Sequence, residues 1–154
     1  MSAAASMSVR LQLFFSRYVT MPRPHRWVYR LTRGLIGSRL PGVNPAVLLL
    51  TVPGRRSGIE RTTPLVYFEI DGSIIIAGTN NGEDQHPEWF WNLLASKDAV
   101  IQLGPEHRRV TCRLVTGPER SRLWRRITTI HPLFEVYQKR TARVIPVLVL
   151  EEVE

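Results

Sequence analysis

Most of the apolar runs between Ala46 and Leu150 lie too close together to be joined by helices. Parallel strands need a crossover of a dozen or more residues, whereas antiparallel strands close through a turn of two. Asp71-Gly72 is such a turn signal, between runs at about Thr62 to Ile70 and Ser73 to Ala77. Gly104-Pro105-Glu106 is another, joining about Val100 to Leu103 with about Arg108 to Thr116. Runs at about Ala46 to Val52 and Pro146 to Leu150 bring the predicted strands to six. A helix is predicted from about Glu88 to Ser96, with Pro87 and an acid at its start, a second from Pro118 to about Thr129, and a further helical stretch after His131-Pro132. Hairpin order with flanking helices predicts an α+β chain around a small, mainly antiparallel barrel, not a doubly wound sheet.

With 154 residues the chain has the length of one domain, divided here into an N-terminal helical extension, residues 1–40, and a barrel domain, residues 41–154. The single cysteine, Cys112, cannot form an internal disulfide and sits in an alternating segment, so it reads as a small buried hydrophobe in a reducing cytoplasm. No apolar run reaches membrane-spanning length, and Arg10, Gln12 and Arg17 interrupt the N-terminus, which does not read as a signal peptide. At helical spacing Val9, Leu11, Leu13, Phe14, Phe15, Tyr18 and Val19 gather on one side. That face suits packing on the same protein, with peripheral contact at the inner face of the cell membrane as the second reading.

Residues 1–61 carry ten arginines against the single acid Glu60, and account for the whole of the +8 net charge. An anionic partner is therefore expected to meet the front of the chain. Nucleic acid is the weaker candidate, because no recognisable reading module is present, and a small ligand bearing phosphate or carboxylates is preferred. The Walker, dinucleotide and nucleophile-elbow patterns are absent. His25, His86, His107 and His131 are scattered singly, so no metal site is expected, and no two carboxylates form an acid/base pair. If the chain is an enzyme, a cofactor carries its chemistry.

Two segments fit such a ligand. Gly54-Arg55-Arg56-Ser57-Gly58, followed by Arg61-Thr62-Thr63-Pro64-Leu65, gathers guanidiniums, hydroxyls and flexible backbone into a turn suited to an anion. In Ala77-Gly78-Thr79-Asn80-Asn81-Gly82, small residues at a strand end would let a flat ring approach the backbone, with Thr79 and Asn80 bonding its edge. Beyond it, His86-Pro87-Glu88-Trp89-Phe90-Trp91-Asn92 opens a helix whose N–H groups suit an anion. Successive helical residues diverge by about 100°, so two of the three aromatics are expected in the core.

These motifs, in this order and spacing, resemble the deazaflavin-dependent nitroreductase family, from about Trp27 to Leu150. The resemblance implies a split β-barrel that binds coenzyme F420, related to FMN-binding flavoreductases; FMN is the alternative cofactor. By position it assigns Arg55, Arg56, Ser57 and Arg61 to the cofactor's phosphate and oligoglutamate tail, Thr62, Thr63, Pro64, Leu65 and Val66 to its side chain and ring, Ala77, Gly78, Thr79 and Asn80 to the deazaflavin, and Glu88, Trp89, Phe90, Trp91 and Asn92 to the far wall. Arg56 stands where the family commonly has lysine, as does Asn80. The substrate entrance, which several members line with tyrosines, reads His131, Phe134 and Tyr137 here. Tyr137 and His131 are the proton-donor or substrate-wall candidates, and Phe134 is equally a packing residue. The implied activity is hydride transfer to a hydrophobic conjugated acceptor such as a quinone, enone or nitro compound, with cofactor binding without turnover as the alternative and a homodimer as the expected assembly.

Overall fold

The computed structural model describes residues 46–153. The predicted extension, residues 1–40, and its helices lie outside the described residues. Six strands appear: β1 (Val47–Pro53), β2 (Glu60–Ile70), β3 (Ser73–Ala77), β4 (Asp98–Leu103), β5 (Glu106–Val115) and β6 (Val147–Glu152). Three helices join them, α1 (Glu88–Ser96), α2 (Gly117–Ile130) and α3 (Leu133–Arg140), with a 3₁₀ turn at Asn80–Gly82. Every strand pair is antiparallel, and the order β1-β2-β3-β6-β5-β4 closes back onto β1.

Ile70 pairs with Ser73 across Asp71-Gly72, as the turn signal required. Leu103 pairs with Glu106, so the other hairpin turns on Gly104-Pro105 alone and Glu106 belongs to the strand. Gly104 has φ 59° and Pro105 is confined to negative φ, a combination that fits a tight two-residue turn and leaves no third residue to accommodate.

Leu48, Leu50 and Val52 of β1 face the barrel interior with Ile76, Ile101, Val110, Leu148 and Leu150. Trp89, Phe90 and Leu93 of α1 join the same cluster. On the opposite face of the wall, Phe68, Ile70, Ile75, Val147 and Val149 are covered by Leu123 and Ile127 of α2 and Phe134 of α3. β1 is buried on both faces from Val47 to Leu50, which explains its unbroken apolar run.

β2 is the unusual strand. Its first part, Glu60 to Val66, pairs with β1, and its last part, Tyr67 to Ile70, pairs with β3. The Tyr67 N–H donates to Ala46 O at 3.1 Å, which sets the parity: odd-numbered residues of the first part bond to β1. The N–H and C=O groups of Thr62 and Val66 therefore point away from β1, and at Val66, opposite Ala77, β2 passes from pairing with β1 to pairing with β3. Pro64 has no N–H to direct away from β1, so a proline is tolerated within an 11-residue strand. β3 ends at Ala77, opposite this change of partner, and the chain then departs into the 78–86 loop. The barrel wall is thus split between Thr62–Val66 and the segment after Ala77.

Candidate active site

The arginine turn stands at one end of this split. Its backbone closes through Gly54 N–H to Ile59 O and Gly58 N–H to Gly54 O, both 2.8 Å. Gly58 has φ 67°, in the region where only glycine is free of strain. Asn92, buried on α1, bolts the turn to that helix: its Oδ1 accepts from both the Arg55 N–H and the Arg55 guanidinium, each at 3.1 Å. Arg55 also pairs with Glu88 at 2.6 Å. The Glu88 carboxyl is held below its ordinary range by the Arg55 hydrogen bond and by the charges of Arg55, Arg56 and Arg61. Arg55 thus contacts Glu88, and Arg56 and Arg61 lie near enough for their charges to act on it, so the turn carries more positive than negative charge. The adjoining first turn of α1 has Pro87 at its N-cap and no side chain capping it. Ser57 lines the same turn, its Oγ accepting the Ile59 N–H at 3.3 Å.

The resemblance places Asn92 on a wall facing the ligand, and its oxygen also holds the turn in position. Trp89 and Phe90 are buried in the barrel cluster and only Trp91 of the three aromatics is exposed, at 42%. The expectation of two core aromatics is met, and Trp91 is the one able to serve as a wall.

The small-residue loop also differs from expectation. A Cβ on Gly78 would come within 2.8 Å of Pro146 Cγ, and the Gly78 N–H donates to Pro146 O at 2.9 Å. On that side glycine makes room for a proline of the same chain, not for a ring. Asn80 and Asn81 have φ 44° and 56°, and the Asn80 amide donates to Glu83 Oε2 at 3.2 Å and Gln85 O at 2.9 Å. Its donor nitrogen is spent inside the loop. Thr79 is half-buried and remains beside the split. Thr63, Leu65, Val66 and Ala77 are likewise half-buried, whereas Thr62 and Pro64 are buried, with the Thr62 hydroxyl 2.8 Å from that of Thr51.

Sequence reasoning missed Arg143. Its guanidinium donates to Glu83 O at 2.8 Å, Gly78 O at 3.0 Å and Thr79 O at 2.8 Å, and contacts His86 Nδ1 at 3.1 Å. It fastens both ends of the loop, across more than 50 residues of sequence. A lone arginine after a helix carries no local sequence signal.

At the entrance segment, Phe134 is buried edge-on against Phe68, with ring centroids 5.2 Å apart, so its packing role is evident. Tyr137 is buried with Leu133 and Ile145. His131 is only 7% exposed and its Nδ1 has no hydrogen-bond partner among the described residues, while burial pushes its pKa below the ordinary histidine value. A buried polar atom without a partner is costly, and such atoms concentrate where a ligand or water completes the site.

The whole arrangement has counterparts among known proteins. The F420H(2)-dependent quinone reductase family matches residues 20–152. An F420H(2)-dependent quinone reductase of Mycobacterium tuberculosis is 37% identical over 135 residues, 86% of this chain and 90% of its own. Among solved structures, an F420-H2 dependent reductase aligns with a TM-score of 0.62 at 31% identity, over 68% of this chain and 93% of that one. A protein described as a domain-swapped dimer aligns with a TM-score of 0.63 at 29% identity, over 83% and 99%. The barrel, the arginine turn and the resemblance read from the motifs thus converge: the chain belongs to the F420H(2)-dependent quinone reductase family.

Proposed function

We propose that the opening between Thr62–Val66 and the segment after Ala77 holds coenzyme F420, with its charged tail on the arginine turn, and that the reaction there reduces a quinone-type acceptor. The observation that carries this reading is the surplus of arginine charge in the 54–61 turn, beside Glu88, at the point where β2 changes partners. The residues suit the group: surplus positive charge fits phosphate and carboxylates, and the half-buried side chains of Thr63, Leu65, Val66, Ala77 and Thr79 suit a flat heterocycle. When bound, reduced F420 supplies a hydride to an electrophilic carbon.

Arg55, Arg56, Arg61 and Ser57 bind the anionic tail, and Asn92 keeps Arg55 in place. Thr62 to Val66 orient the ring from one side, and Ala77 and Thr79 from the other. Trp91 covers the outer wall and restricts water. His131 offers a buried nitrogen to the acceptor side, where burial keeps the ring neutral, and Tyr137 is the second proton-donor candidate. Correct placement of two reactants alone lowers such a barrier by several kcal/mol.

Titrating F420 and FMN side by side, then mixing the reduced F420 complex with menadione, tests the reading. Tighter binding of F420 and oxidation of the reduced cofactor by the quinone are expected; preference for FMN, or no oxidation, contradicts it. Two partners belong to the same proposal. A homodimer is supported by the relative described as a domain-swapped dimer, and light scattering decides it. Peripheral membrane contact through residues 9–19 rests on the spacing of their apolar residues in the sequence, and they lie outside the described residues; no helix among the described residues is long and apolar enough to cross a membrane. Flotation with anionic vesicles tests that contact.

A further inference from the structure

His86 ends the 78–86 loop, beside the exposed Trp91 that is one proposed wall of the cleft. It directly precedes Pro87 and α1, and its ring lies 4.8 Å from Phe90 and 5.3 Å from the exposed Trp91. Its Nδ1 is 3.1 Å from Arg143 Nη1, the same nitrogen that donates to Gly78 O. A guanidinium has no lone pair to offer and stays charged wherever the protein folds, so Arg143 can only donate. His86 Nδ1 must therefore accept, and the neutral ring carries its one proton on Nε2. Arg143 cannot turn aside, because its other nitrogens hold Glu83 O and Thr79 O.

Protonating Nδ1 would set an imidazolium N–H against a guanidinium N–H. Burial and the Arg143 charge both push the His86 pKa down. The carboxylates nearby do not reverse this. Asp84 accepts from the Thr141 hydroxyl, Glu83 from Asn80, and Glu88 from Arg55, and none bonds to His86. No described residue accepts the Nε2 proton.

We propose that Arg143 fixes His86 as a neutral imidazole whose Nε2–H is offered to a carbonyl oxygen of the bound ligand. This deepens the proposed function and rests on it. His86 is then a hydrogen-bond donor of the site and not its acid: with Nδ1 blocked, the ring cannot release one proton and take up another. A neutral donor of this kind strengthens its bond as negative charge grows on the carbonyl oxygen, favouring hydride attack while the proton that completes the product comes from a group other than His86. The carbonyl belongs either to the edge of the deazaflavin or to the quinone, and the two differ in what the loss of His86 changes. Arg143 acts through His86 and is a positioning residue.

Imidazole nitrogen NMR on the full chain, with the His86 signals assigned by their loss in His86→Gln, reads the tautomer directly. The expected result is an Nε2–H ring that does not titrate between about pH 7.5 and 5.5. Kinetics with F420 and menadione supply the second readout. His86→Leu should lower kcat/KM about 10- to 100-fold with F420 affinity intact if the carbonyl is the quinone's, or weaken F420 about tenfold if it is the cofactor's. His86→Gln, which places an amide N–H near Nε2, should restore most of the loss in either case; failure of both variants with the same melting temperature as wild type would overturn the donor role. An Nδ1–H ring, titration within that range, or a His86→Leu protein with wild-type kinetics and affinity would overturn the proposal alone. Wild-type protein that does not bind F420 would overturn the site reading and the proposal with it.

Discussion

The arginine turn and the 78–86 loop both flank the split in the barrel, and they satisfy their polar groups in opposite ways. The loop is closed on itself: Arg143 takes three of its carbonyls, Asn80 takes a fourth, and Pro146 fills the space over Gly78. The turn has its backbone fastened by Asn92, yet among the described residues Arg56 and Arg61 form no ion pair with a carboxylate of their own. A loop whose backbone carbonyls are held from within serves as scaffold, here for the ring of His86, and a turn left with surplus charge is where an anion binds.

The contrast can be broken most severely at the turn. Replacing Arg55 and Arg61 together by alanine should weaken F420 binding about 100-fold or more, since each charge-assisted contact is worth about 1.5–3 kcal/mol, with the melting temperature nearly unchanged. Fluorescence titration beside a thermal melt checks both parts. In the loop the order reverses: Arg143→Ala should cost about 2–3 kcal/mol in urea unfolding, because it strands several carbonyls. Gly78→Ala should destabilise by about 1–2 kcal/mol through the clash with Pro146, and Pro146→Ala in the same chain should recover part of the loss. If Gly78→Ala left stability intact but abolished cofactor binding, the glycine would serve the ligand after all.

The smallest effect is a pH dependence. Burial places the His131 pKa in the folded chain below its ordinary value of 6.5. The unfolded chain therefore takes up the proton first as pH falls, so this contribution to stability is complete above about pH 6.5 and declines below it. Urea unfolding at pH 7.5 and 5.5 should show the decline, and His131→Phe should flatten it by about 1 kcal/mol or less. A steeper slope in the variant would contradict the buried neutral ring.

The barrel was legible because its determinants are local. Asp71-Gly72 sets one register, Pro87 and Pro118 mark helix starts, and the apolar runs of β1, β3 and β6 are written in adjacent residues. The charged turn was legible for the same reason. The strand ends moved by one or two residues, because pairing across the barrel, such as Pro53 with Glu60 and Asp98 with Thr111, extends strands beyond their apolar runs. Contacts distant in sequence were not legible. Nothing near Gly78 announces Pro146, nothing near His86 announces Arg143, and the orphaned nitrogen of His131 exists only once α2 and α3 pack on the barrel.

The central claim is that the turn and the split form one site for one elongated ligand. Amide shift mapping during an F420 titration tests it most directly. Simultaneous, saturable shifts at Arg55 to Ser57, Thr62, Val66 and Thr79 are expected; shifts confined to the turn, or clustered on another face of the barrel, would contradict it.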